Sequence, residues 1–109
     1  MTEINREHLR AYLDCPLDDL EQELALYDLT SRGPAETWNK VAAAVRVWLC
    51  DDWGWCRARR ENDFAELYDL ALAVAVVLSR HIAEMPLDAD ECLIAAILVK
   101  RGMDRFCGC

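Results

Sequence analysis

Cysteine is the residue type with the most specialised chemistry in this chain, and six are present: Cys15, Cys50, Cys56, Cys92, Cys107 and Cys109. Thiolates bind soft metals and exchange with disulfides. Structural zinc sites bring paired ligands two to four residues apart. Cys50 and Cys56 have five residues between them, and close spacing is found only at Cys107 and Cys109. A turn at Gly54 would let the first two converge, and a C-terminal pair folding back would complete four sulfur ligands. Cys50, Cys56, Cys107 and Cys109 are therefore the candidate set for a metal-binding or thiol redox protein. Cys15, at a helix junction, and Cys92, in an apolar run, read as packing residues, which is how free cysteine mostly behaves. Residues 1–106 read as one helical domain, and 107–109 as an exposed Cys-Gly-Cys tail. Met1–Arg10 mixes charges of both signs and lacks the apolar stretch of a secretion signal, so the expected location is cytoplasmic and the thiols are expected to be mostly reduced and free.

The other reactive groups add little. His8 shares a helical face with Ile4 and Tyr12 and reads as a partly buried packing histidine; His81 suits a helix C-terminus. No third group orients a Cys and His pair, so no catalytic residue is assigned and the chain is read as not an enzyme. Glycines at 33, 54, 102 and 108 cannot build a phosphate-binding loop, and no cofactor is expected.

Charge is more informative. Twenty acidic against twelve basic residues leave a formal net charge of −8, which disfavours direct nucleic-acid binding and anionic membranes. The longest apolar run, Leu70 to Leu78, is far shorter than the ~20 residues a bilayer-spanning helix needs. Acids crowd one segment: Asp14, Asp18, Asp19, Glu21, Glu23 and Asp28 occur there with no Lys or Arg between them. At 100° per residue, Leu17, Leu20, Leu24 and Tyr27 set its buried direction. Asp18, Asp19 and Gln22 fall opposite, Glu21 and Glu23 flank the stripe, and Leu26 and Leu29 point partly outward. Trp53 and Trp55 bracket Gly54 ahead of Arg57, Arg59 and Arg60, where they can cap the core, stack under a guanidinium or anchor an interface. The candidate partner-binding set is Asp18, Asp19, Glu21, Gln22, Leu26, Leu29, Trp53 and Trp55. It suits a protein partner with a basic surface, as for an acidic inhibitor that occupies a nucleic-acid-handling protein. A second copy of the chain is a further candidate partner.

Five helical segments must position these residues. The first opens at Thr2 and ends near Asp14, and Pro16 starts the second. Gly33 and Pro34 punctuate the start of a third, with Trp38, Val41, Ala42, Val45, Trp48 and Leu49 at helical spacing to about Asp52. Residues 53 to 60 show no clean period and read as the longest loop or a frayed extension of the third helix. Asp63 and Glu66 have capping-box spacing before a fourth helix that Met85 and Pro86 stop; Asp88 and Glu91 repeat the spacing before a fifth, ending at Lys100, Arg101 and Gly102. Alanines within the runs 70–78 and 92–99 favour helix over buried strand. The expected fold is all-α, a compact bundle of about five helices with two central apolar ones.

Overall fold

The computed structural model describes residues 4–30, 32–62 and 64–109; Thr2 and Asp63, expected as helix caps, lie outside the described residues. Seven α-helices follow in order: α1 (Arg6–Leu13), α2 (Leu17–Ala25), α3 (Pro34–Arg46), α4 (Trp55–Glu61), α5 (Leu67–Ser79), α6 (Glu91–Arg101) and α7 (Met103–Cys107). A π-helical turn over Val47–Asp52 continues α3, and a 3-10 turn spans Ile82–Glu84. No strand is found among the described residues. The all-α class holds, whereas the count rises from about five to seven among the described residues because the stretch read as a loop carries α4 and the chain beyond Gly102, to which no helix was assigned, carries α7.

Both additions follow from a glycine. Gly54 sits in the left-handed region at φ 68° and ends the π turn, so that α4 restarts at Trp55 where a loop was expected. Gly102, at φ 98°, stops α6 and lets the chain begin α7 in a new direction. The π turn itself widens the helix by one residue per turn, with Trp53 N–H donating to the Trp48 carbonyl five residues back at 3.0 Å. Consecutive Trp48 and Leu49 are both buried there.

Two helices open on side chains that satisfy free backbone N–H groups. The Asn5 carboxamide accepts from His8 N–H at 3.1 Å and opens α1. The Asp90 carboxylate accepts from Cys92 N–H at 2.8 Å and opens α6, two residues after the expected start at Asp88. Helix α5 begins only at Leu67, with Glu66 at its N-cap and no side-chain bond there, and ends at Ser79, short of Met85.

Helix α6 is the centre of the molecule. Every residue from Cys92 to Val99 is buried, and α1, α2, α5 and α7 all pack against it. Such a helix needs no polar face, because neighbours cover its circumference. Helix α5 differs from the expectation of a second enclosed cylinder. Ala71, Val74, Ala75, Val77 and Leu78 are buried, but Leu67 and Val76 are exposed, so α5 is a flank of the core with one side in contact with water. The third layer is α3, whose Trp38, Val41, Ala42 and Val45 are buried and which packs on α2.

Truncation at the centre should therefore cost far more than truncation at the rim. Leu93→Ala, at a fully buried site, is expected to lower unfolding free energy by about 2–5 kcal/mol in urea titration. Leu29→Ala, at a site 97% exposed, should change it by no more than about 0.5 kcal/mol. Equal losses would contradict this layering.

Candidate functional site

The candidate cysteine set converges, but as two disulfides: Cys50 with Cys107 and Cys56 with Cys109. This corrects the expectation of mostly free thiols. It also removes the tetrathiolate reading, since a sulfur in a disulfide is no thiolate ligand. Residues expected as a free tail are tied back: Cys107 is the last residue of α7 and is half-buried, while Gly108 and Cys109 remain exposed. The π turn presents Cys50 and the first turn of α4 presents Cys56, so the two sulfurs spaced too widely for zinc each meet one sulfur of the C-terminal pair. Cys15 and Cys92 stay unpaired. Cys15 Sγ donates to the Ala11 carbonyl at 3.3 Å.

A second cluster has metal-ligating atom types. Asp90, Glu91 and Cys92 each place one such atom within 4.8 Å of the others. Two of its members are otherwise engaged. Asp90 caps α6 and lies 3.6 Å from His8 Nδ1. Burial, with the Asp90 charge beside it, pushes the Cys92 thiol up to about 12, so the sulfur stays protonated at neutral pH and acts as a small apolar core group. His8 is exposed, in place of the packing role expected, and His81 stacks on Trp48 with ring centroids 4.6 Å apart.

The acidic segment forms a different kind of surface. Leu20 and Leu24 are fully buried, and Asp18, Asp19 and Gln22 are exposed on the outer side of α2. Asp18 and Asp19 occupy its first turn, where their charges favour the free N–H groups. Glu21 does not join them. Its carboxylate is drawn inward and meets Arg101 at 3.0 Å, with 17% of the side chain exposed. Because α2 ends at Ala25, the apolar stripe stops at Leu24 and Tyr27 lies exposed. Leu26 and Leu29 follow at 77% and 97% exposure.

Between those leucines Asp28 anchors the chain. One carboxylate oxygen accepts from Lys40 Nζ at 2.8 Å; the other accepts from the Thr30 hydroxyl at 2.8 Å and the Thr30 N–H at 3.1 Å. The Lys40 hydrogen bond, helped by Thr30 and opposed by burial, holds the Asp28 carboxyl down to about 2. The turn that displays Leu26 and Leu29 is thus fastened to α3.

The two tryptophans expected beside this surface part company. Trp55 is buried, 5% exposed, and its indole N–H donates to Asp104 at 2.9 Å. It is a core residue of the α4–α7 contact and cannot face a partner. Trp53 is half-buried and lines a shallow groove with Phe64, Leu72, Val76 and Arg80. Arg59 pairs with Asp104 at 2.8 Å and Arg57 lies 3.5 Å from Glu61, so neither stacks on a tryptophan. The role of Asp28 escaped the sequence reading, which counted it among the solvated acids. Its signal was the Asp-x-Thr spacing of a side-chain turn, Asp28 to Thr30.

No protein-family model matches the chain, and comparison with curated proteins and with solved structures finds no match either.

Two measurements test this geometry. The disulfides span 57 and 53 residues, but once one is closed the other closes only the short ring through 50–56 and 107–109. Replacing either pair by serines should cost about 2 kcal/mol, and replacing both should cost more than the sum; strict additivity in urea titration would refute this. The second concerns pH. Asp28 titrates lower folded than unfolded, from 3.8 to about 2. Its contribution is fully present above about pH 4 and is lost as pH falls towards 2. Melting temperatures of Asp28→Asn should start lower than those of the parent chain and converge on them across that window.

Proposed function

We propose that the chain is a non-catalytic protein-binding module that docks through the outer side of α2 and the turn after it onto a basic protein surface. One observation carries the reading: Leu26 and Leu29 stand 77% and 97% exposed on a turn that the Asp28, Lys40 and Thr30 bonds hold in place. Apolar side chains carried on a backbone already held in place cost little further backbone ordering on binding, so they serve as anchors. Asp18, Asp19 and Gln22 lie along the neighbouring turns of α2, where the two aspartate carboxylates steer a cationic partner and raise the association rate and the Gln22 amide offers a hydrogen bond. An inhibitor that occupies a basic, nucleic-acid-handling protein fits this division of labour. Two copies at −8 each repel at long range, which favours a different protein over a homodimer. Trp53 is a secondary contact in this reading; Glu21, committed to Arg101, and Trp55, enclosed by α4 and α7, are not contacts.

The cysteine-based alternative keeps one supporting observation, the convergence of four sulfurs from distant positions. In the paired state it supports a redox-sensitive clasp more than a metal site. No helix is long and apolar enough to cross a membrane among the described residues. The cytoplasmic expectation came from the lack of a secretion-signal pattern and carried reduced thiols with it; with four of six cysteines paired, we infer instead that the protein works in an oxidising compartment.

Immobilised oxidised protein exposed to native lysate tests the docking reading. A partner should be captured by the parent chain and lost by Leu26→Ser/Leu29→Ser. Asp18→Ser/Asp19→Ser should slow its association about tenfold or less and flatten the salt dependence. Capture equal for all three proteins would sink the proposal.

A further inference from the structure

The positive charge of this acidic chain is not spread evenly. Arg46 at the end of α3, Lys100 and Arg101 at the end of α6, and Arg105 in α7 line one open cleft of about 480 Å³, together with Trp38, Phe106, Leu17, Gly102 and Glu21. Four cations thus face a single carboxylate. Of the four, only Arg101 has an ion pair among the described residues, that with Glu21. The Arg101 Nε is buried and has no hydrogen-bond partner. Buried polar groups left unpaired are uncommon, and this one lies among cations that have no ion pair among the described residues, which points to a missing acceptor.

Two of the guanidinium groups lie against rings: Arg101, which also meets the Glu21 carboxylate, and Arg46, which has no ion pair among the described residues. Arg101 lies over Trp38, 4.7 Å from the ring centroid, and Arg46 lies over Phe106 at 4.6 Å. The rings neighbour each other, with centroids 6.1 Å apart. A ring contact holds a guanidinium plane through its face and leaves the N–H edge open. Those edges suit tetrahedral oxyanions, which accept from several donors at once, and the cleft falls in the size range of small-molecule sites. Its charge excess calls for a ligand with more than one negative charge.

We propose that this cleft binds a small diphosphate-bearing anion, with the phosphate groups held by Arg46, Lys100, Arg101 and Arg105 beside the Trp38 and Phe106 rings. The site is separate from the outer side of α2 and does not depend on the docking reading. Its wall is secured covalently, since Arg105 and Phe106 belong to the helix that the Cys50 to Cys107 disulfide fastens.

Calorimetric titration of the oxidised full chain at low salt with inorganic pyrophosphate, ADP and adenosine tests it. Pyrophosphate and ADP should each bind at one site, more weakly as salt is raised, and adenosine should not bind. Tighter binding of ADP than of pyrophosphate would extend the site to the nucleoside, whereas equal binding would confine it to the diphosphate; both support the proposal. Lys100→Gln and Arg105→Gln should each weaken binding about tenfold, and Arg57→Gln, on α4 and outside the cleft, should leave it unchanged. All three variants should keep the parent circular dichroism spectrum, because these side chains reach solvent. Absence of saturable binding by both phosphates overturns the proposal, as does binding indifferent to salt and to Arg105→Gln. A peptide of residues 16–29 binding more tightly than either phosphate would also overturn it, and would assign the cleft to the acidic helix of a second copy.

Discussion

The removal of α6 from water organises this molecule. Eight consecutive residues, Cys92 to Val99, have no polar side to turn outward, so the helix is stable only inside a sheath. Helices α1, α2, α5 and α7 supply it, and each shows its partial duty in its own sequence. Leu9 is the buried point of α1, Leu20 and Leu24 are those of α2, and Met103 is that of α7. Because these elements are short, between five and nine residues apart from α5, none would persist as an isolated helix in water. Their helicity is a consequence of what they cover.

Where the sheath closes, charge takes over from apolar contact. Arg101 leaves the end of α6 and reaches Glu21 of α2 on one side and the Trp38 face on the other, so one side chain ties three helices at the mouth of the core. Lys40 does the same for the turn after α2 through Asp28. Arg10 over the Tyr68 ring, 3.9 Å from its centroid, joins α1 to α5. Asp18 and Asp19 stand on the outside of α2, and Arg46, Lys100 and Arg105, which have no ion pair among the described residues, gather at the ends of α3, α6 and α7.

Periodicity made much of this legible. Trp38, Val41, Ala42 and Val45 recur at helical intervals and are buried as that spacing implies; the run at 92–99 is enclosed as its lack of polar residues implies. Other features depend on contacts between distant positions, which spacing along the chain does not encode. Leu70 to Leu78 reads as apolar all round, yet Val76 reaches water because no element among the described residues covers that side. Trp55 looks like an exposed ring next to arginines until Asp104, 49 residues later, accepts its N–H. The cysteine pairing is hidden for the same reason. The π turn and the left-handed Gly54 aim Cys50 and Cys56 in directions that a regular helix would not allow, and α7 supplies the matching spacing.

That clasp divides the chain into a lead and a loop. Tension applied between the N-terminus and Cys109 travels along the backbone to Cys50 and then crosses sulfur to reach the C-terminal residues. Residues 57–106, which include α5 and α6, lie on a bypassed strand of the circuit. Pulling could peel α1, α2 and α3 from their places, but the contour it can release ends at the sulfur bridges, and the most deeply enclosed helix never bears load through its own backbone.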